Sequence, residues 1–155
     1  NVGSNIGNNQ CHNKDGLKLL EQVSGDILYL DPPYNSRQYV PNYHLLETVA
    51  RYDYPIISGK TGLRPYSNQK SALCQKAKVH GYLKKILSYA NFKHIILSYS
   101  SEGIMSKDEI IELLASQCDP NSVKLEEIPY RRYKHQKNNN TPHLFEYLFY
   151  ARKKK

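Results

Sequence analysis

The chain has 155 residues, enough for one domain with its own core but short for a two-domain enzyme. Lys and Arg number 22 against 14 Asp and Glu, and the formal net charge of +8 favours a polyanionic partner. No apolar run approaches the ~20 residues that cross a bilayer as a helix, and 39% hydrophobic residues in regular segments exclude wholesale disorder.

The sequence opens on Asn1 with no initiator Met, so a piece of a longer protein is expected. Residues 1–10 (NVGSNIGNNQ) carry no hydrophobic period and read as loop. From Asp15 to Val23, Leu17, Leu19, Leu20 and Val23 fall at helical spacing until Ser24-Gly25 ends the run. The apolar segment Asp26-Ile27-Leu28-Tyr29-Leu30 then reads as a strand running into Asp31-Pro32-Pro33-Tyr34. Two prolines cannot continue a ladder, so the strand must stop there.

Residues 43–52 pair Leu45 with Val49 and Leu46 with Ala50 on one helix face. Residues 53–70 (DYPIISGKTGLRPYSNQK) predict a long functional loop, because structureless connections of that length are uncommon. A longer helix follows, with Val79, Leu83, Ile86, Leu87 and Ala90 on one face, and then a strand over His94 to Tyr99. Ser106 and Glu109 predict a capping box that opens a helix carrying Ile110, Ile111, Leu113 and Leu114. Val123 to Tyr133 and Leu144 to Ala151 read as strands around the polar run Lys134 to Pro142. Strands alternating with helices predict an α/β domain with a largely parallel sheet, closed by an antiparallel hairpin.

Three cysteines, Cys11, Cys74 and Cys118, lie far apart without Cys-x-x-Cys spacing, and the six His match no metal pattern. Neither a disulfide framework nor a metal site is expected. No charged-then-apolar leader opens the chain, so a reducing cytoplasm is the expected compartment.

In an open α/β sheet, ligands gather at the carboxyl ends of strands, where Asp31-Pro32-Pro33-Tyr34 is expected. The four residues offer a carboxylate acceptor, a backbone made rigid by prolines, a carbonyl aimed by that rigidity and a flat aromatic ring. Such a set matches a planar substrate with an exocyclic NH₂, whose two hydrogens need two acceptors while its ring needs a stacking partner. An adenine amino nitrogen is a poor nucleophile because its lone pair is delocalised into the ring. Hydrogen bonds to Asp31 and to the Pro32 carbonyl would draw it toward tetrahedral geometry, and Tyr34 would hold the base, so that the nitrogen attacks an activated methyl group directly.

This motif resembles that of the amino-group DNA methyltransferases. The extension Asn35-Ser36-Arg37-Gln38-Tyr39, with Asn42-Tyr43-His44-Leu45-Leu46-Glu47, resembles the D12 class of adenine-N6 enzymes. So do Ser98-Tyr99-Ser100-Ser101-Glu102-Gly103, Ile128 to Tyr133, and Glu146-Tyr147-Leu148-Phe149, all in the order of that family. The resemblance implies S-adenosylmethionine as methyl donor, duplex DNA as partner, and a target adenine flipped into the site. It implies a partial Rossmann-like methyltransferase sheet spanning residues 1–155, the catalytic half of such a domain. Asp15 resembles a polar position near the donor's adenine, or else is a helix N-cap. Tyr133 falls where the family borders the target base with an aromatic ring, or else is a packing ring. Arg37, Tyr39, Lys60, Arg64, Arg131 and Arg132 are the candidates for DNA contacts, with residues 53–70 as a recognition loop.

The family's Gly-rich turn after a first strand, and the acidic residue that follows it, have no counterpart before Asp31. A missing N-terminal half or a second polypeptide is therefore the expected partner, and little methyl transfer is expected of these residues alone. Two alternatives remain open at this point. One is a methyltransferase acting on RNA or on a protein amide nitrogen; the other is a nonenzymatic basic nucleic-acid-binding module.

Overall fold

The computed structural model describes residues 9–130 and 144–154. Its elements run α1 (Gly16–Leu20), β1 (Ser24–Leu30), α2 (Tyr39–Arg51), α3 (Lys76–Tyr89), β2 (Asn91–Ser100), α4 (Lys107–Gln117), β3 (Lys124–Tyr130) and β4 (Leu144–Arg152). Short 3₁₀ turns occupy Ser67–Gln69, Ala72–Cys74 and Pro120–Ser122.

The four strands form one sheet in the order β1-β2-β4-β3. β1 runs parallel to β2, with Leu30 opposite Leu97. β4 runs antiparallel to both neighbours, with Glu146 opposite Ser100 on β2 and Ile128 on β3. The expected mainly parallel sheet is thus corrected for these strands: one parallel pair is closed by an antiparallel hairpin. Its second arm, β4, takes the inner position because Phe149 and Ala151 are fully buried beside β2.

Side-chain alternation divides the sheet into two faces. Leu28 and Leu30, Ile95, Leu97 and Tyr99, and Phe149 and Ala151 meet α3 and α4 in one core. α3 presents Val79, Leu83, Ile86 and Leu87 to it at helical spacing, and α4 presents Ile110, Leu113 and Leu114. Each such side chain contributes about 1.5–3 kcal/mol by leaving water. Ser106 starts α4 with the predicted capping box: its Oγ accepts from the Glu109 N–H at 3.3 Å, and Glu109 Oε2 accepts from the Ser106 N–H at 2.7 Å.

The opposite face stays open. Ile27 and Tyr29 are 59% and 58% exposed there, and Ile96, Leu148 and Tyr150 on the same face line a shallow cleft. α2 forms as the Leu45/Val49 spacing predicts, yet it buries none of its residues. Its apolar stripe is a helix face with nothing packed on it among the described residues. Pro41 falls in its first turn, where a missing N–H costs nothing, and Tyr43 marks a kink with φ −118° and ψ 18°. No helix among the described residues is long and apolar enough to cross a membrane.

Candidate active site at the carboxyl end of the sheet

β1 ends at Leu30, so Asp31 is the first residue beyond the ladder, as the double proline dictates. Asp31 is exposed, while Pro32, Pro33 and Tyr34 are half-buried. The Tyr34 carbonyl accepts from the Ile104 N–H at 2.7 Å and from the Tyr99 hydroxyl at 3.2 Å, so two donors fix the last peptide of the motif. The Tyr34 ring meets the Tyr99 ring edge-on, with centroids 6.1 Å apart. A polar cleft of about 470 Å³ opens beside it, lined by Tyr34, Asn35, Ser36, Arg37, Ser100, Glu102 and Glu146.

The segment after the motif is tethered too. Asn35 Oδ1 accepts from the Arg37 N–H at 2.9 Å in a local turn. The Cys74 thiol donates to the Arg37 carbonyl at 3.4 Å, and burial pushes that thiol's pKa up, which keeps it protonated. Gln38 Nε2 donates to the Ser71 carbonyl at 3.3 Å, and Gln38 Oε1 accepts from the Ser71 N–H at 2.7 Å. A loop rich in Pro, Asn and Ser is thereby held at both ends without belonging to a helix or strand.

Asp15 caps α1, its Oδ1 accepting from the Leu17 and Lys18 N–H groups at 3.1 and 3.2 Å. Its other oxygen receives the Tyr82 hydroxyl at 3.4 Å and faces a cleft of about 520 Å³ lined also by Lys70, Ser71 and Leu73. Burial, then the charge of Asp15, raises the Tyr82 phenol and keeps it a donor. The cap is therefore real, and a carboxylate oxygen with capacity for a further bond is left toward the cleft. Ser71 joins the two regions, since it borders this cleft and binds Gln38.

The expected long loop proves to be built. Ser58 and Leu63 form an isolated bridge, and Gly59 and Gly62, with φ of 71° and 68°, turn the tip that carries exposed Lys60. Arg64 departs from the expected phosphate contact. Its side chain is 7% exposed, and the guanidinium donates to Asp53 at 2.5 and 3.2 Å and to Thr48 Oγ1 at 3.2 Å, so it braces the loop against α2. Arg37 and Tyr39 are exposed near the motif, and Tyr39 stacks on Tyr43 with centroids 4.9 Å apart. Arg131, Arg132 and Tyr133 lie outside the described residues. The strand ends that flank them, Tyr130 and Leu144, are paired at the end of the sheet where Asp31 emerges.

Ser100 and Glu146 were not singled out by their side chains, because their approach depends on β4 pairing with β2 across 46 residues. The resemblance of their segments to family motifs was the available signal.

A family model for the D12 class N6 adenine-specific DNA methyltransferases matches residues 1–113. The chain belongs to this family. Among its curated relatives, the type II methyltransferase M.FokI of Planomicrobium okeanokoites is 49% identical over 152 residues, covering 98% of this chain and 24% of that protein. Modification methylase StsI of Streptococcus sanguinis is 37% identical over 99% of this chain and 23% of its own length. The type II methyltransferase M.NlaIII of Neisseria lactamica is 43% identical over 90% of this chain and 41% of its own length. This D12-class chain therefore spans about a fifth to two-fifths of the length of the curated relatives it matches. No solved structure matches it.

Proposed function

We propose that the D12-class protein containing this chain transfers a methyl group from S-adenosylmethionine to adenine N6 in duplex DNA, and that Asp31 to Tyr34 bind the reacting base. The observation that carries this reading is the motif's place: it leaves β1 at the sheet's carboxyl end and is pinned by Tyr99 and Ile104 at the wall of a polar cleft. The Asp31 carboxylate and Pro32 carbonyl accept the two amino hydrogens, and Tyr34 stacks on the ring. Shifting the nitrogen lone pair out of conjugation and holding it in line makes it nucleophilic without a covalent enzyme intermediate.

A base paired in a duplex cannot reach such a cleft, so the adenine is flipped out of the stack. Arg37, Tyr39 and Lys60 supply exposed contacts to the DNA, and Arg131, Arg132 and Tyr133 are proposed to join them. Such a protein works where its DNA lies, in the cytoplasm.

The donor supplies an electrophilic methyl group. Asp15, Tyr82 and the polar residues Asn68 and Lys70 fit one end of it, since they offer a carboxylate acceptor and polar groups around a cleft of adequate size. Among the described residues no Gly-rich turn follows a strand to hold the rest. We infer that further segments of a longer protein, or a second polypeptide, provide that turn. The free edge of β1, the open face at Ile27 and Tyr29, and the uncovered stripe of α2 are the surfaces that would receive them.

The deciding experiment incubates the full-length protein with duplex DNA and labelled donor and analyses the digested nucleosides. N6-methyladenine is the expected product; label confined to cytosine, RNA or protein overturns the proposal.

A further inference from the structure

Tyr99 is 1% exposed on the core side of β2, and nothing about its core position requires a hydroxyl. That hydroxyl nevertheless links two backbones. It donates to the Tyr34 carbonyl at 3.2 Å and accepts from the Met105 N–H at 3.3 Å. The turn carrying Met105 is itself fastened. Gly103 donates to the Ser100 carbonyl at 2.8 Å, and Ser101 exchanges hydrogen bonds with Phe145 of β4 at 2.9 and 3.0 Å.

Gly103 is the position that permits this closeness. A Cβ built there would stand 2.1 Å from Tyr99 Cε1 and 2.9 Å from the Ser100 carbonyl oxygen, so no other residue fits without moving the ring or the turn. Burial raises the phenol above its ordinary range, so it remains a donor throughout the working pH range.

We propose that Tyr99 is a positioning residue for Tyr34: its hydroxyl, held by the turn at Gly103 to Met105, sets the direction of the Tyr34 peptide and ring at the base-binding cleft. This inference rests on the proposed adenine methylation, because only a stacked base makes the ring's direction matter. Tyr34 lies one bond network away from the sheet core, and Tyr99 converts the rigidity of β2 into a fixed aromatic wall. A base held slightly out of line loses much of the rate while still binding.

The test uses the full-length enzyme and its Tyr99→Phe variant, which keeps the ring and removes only the hydroxyl. Steady-state methylation of duplex DNA should show kcat reduced about tenfold, the scale of one positioning hydrogen bond, with KM for DNA within about twofold. Duplex carrying 2-aminopurine at the target position should show an altered flipped-base fluorescence signal, a readout that a mere loss of stability does not move. Gly103→Ala should shift kcat in the same direction by displacing the turn. An unchanged kcat in Tyr99→Phe, or a loss fully explained by the unfolded fraction, overturns the inference. A wild-type enzyme that forms no N6-methyladenine overturns the functional reading beneath it, and the two failures are told apart by that control.

Discussion

Gln38 and Ser71 are bound to each other through both the donor and the acceptor of the Gln38 amide, across 33 residues of sequence. The pairing imitates one rung of a β-ladder with a side chain in place of a strand. It ties the segment that follows Asp31 to Tyr34 to the one that borders the Asp15 cleft.

Replacing Gln38 by Leu removes both bonds and leaves the Ser71 N–H unsatisfied in a half-buried place. We expect a loss of about 1–2 kcal/mol in stability. Hydrogen exchange should report faster opening at Ser71 and Arg37, and Gln38→Glu should restore the acceptor bond alone. Unchanged exchange in Gln38→Leu would mean that the loop is held by other contacts.

Asp31→Ala in the full-length protein should lower kcat for DNA methylation by at least about a hundredfold, since on the proposed function it removes one of the two acceptors for the amino group. DNA affinity should stay within about twofold, because the phosphate contacts are untouched. Labelled-donor turnover and equilibrium binding measure the two quantities separately. Retained turnover would remove Asp31 from the mechanism.

Lys60 and Arg64 are both basic residues of the segment 53–70, and they should behave oppositely. Lys60→Ala should flatten the slope of log K against log salt by about one phosphate contact while leaving the melting temperature unchanged. Arg64→Met should lower the melting temperature and leave the salt slope alone, because its guanidinium faces Asp53 and Thr48. An equal slope change in both variants would assign Arg64 to the DNA.

Acid should destabilise the domain through carboxylates that the fold keeps ionised, two of which are held by arginine side chains. The Arg64 side chain holds Asp53 below the ordinary carboxylate range, and Arg152 does the same for Asp119. Each folded pKa is depressed, so the contribution is complete above the unfolded value of about 4 and is lost as pH falls through the folded value. Urea midpoints should therefore be flat from neutral pH to about 5 and fall below about 4. Arg64→Met should make the acid decline shallower, and an identical decline in that variant would dissociate Asp53 from it.

Ile27→Lys gives a test of the open face. In the full-length protein it should destabilise, because the segments proposed to cover this face would bury the charge. In the 155-residue chain it should improve solubility and leave the unfolding midpoint unchanged, since Ile27 is 59% exposed there. Equal effects in both proteins would show that nothing covers this face.

Local patterns carried most of the elements. The stop at Pro32-Pro33, the Ser106–Glu109 box and the stripe of α3 each depend on neighbours within a few residues, and each forms where the pattern predicts. α1 is shorter than its spacing predicts, ending at Leu20, because Val23 leads into β1 instead. What sequence did not yield is non-local. That β4 and not β3 lies beside β2, that Arg64 turns inward to Asp53, and that Tyr99 reaches the Tyr34 carbonyl are all decided by packing between distant segments. The apolar face of α2 was legible as a helix, but its exposure was not, since a periodic stripe does not say what will cover it.

The placement of β4 between β2 and β3 also governs how the molecule is made. During synthesis the motif at Asp31 leaves the ribosome long before Leu144–Arg152, the strand through which β3 joins the sheet. Until that strand arrives, Ile95 and Leu97 have a bare neighbour position, and β3 has nothing to pair with. The nascent chain therefore exposes a hydrogen-bonding edge on β2 until β4 is made, and the pairing of these four strands is gated by β4. A truncation inside β4 would leave these strands in that open form, with Asp31 to Tyr34 present in the chain but the sheet beside them unfinished.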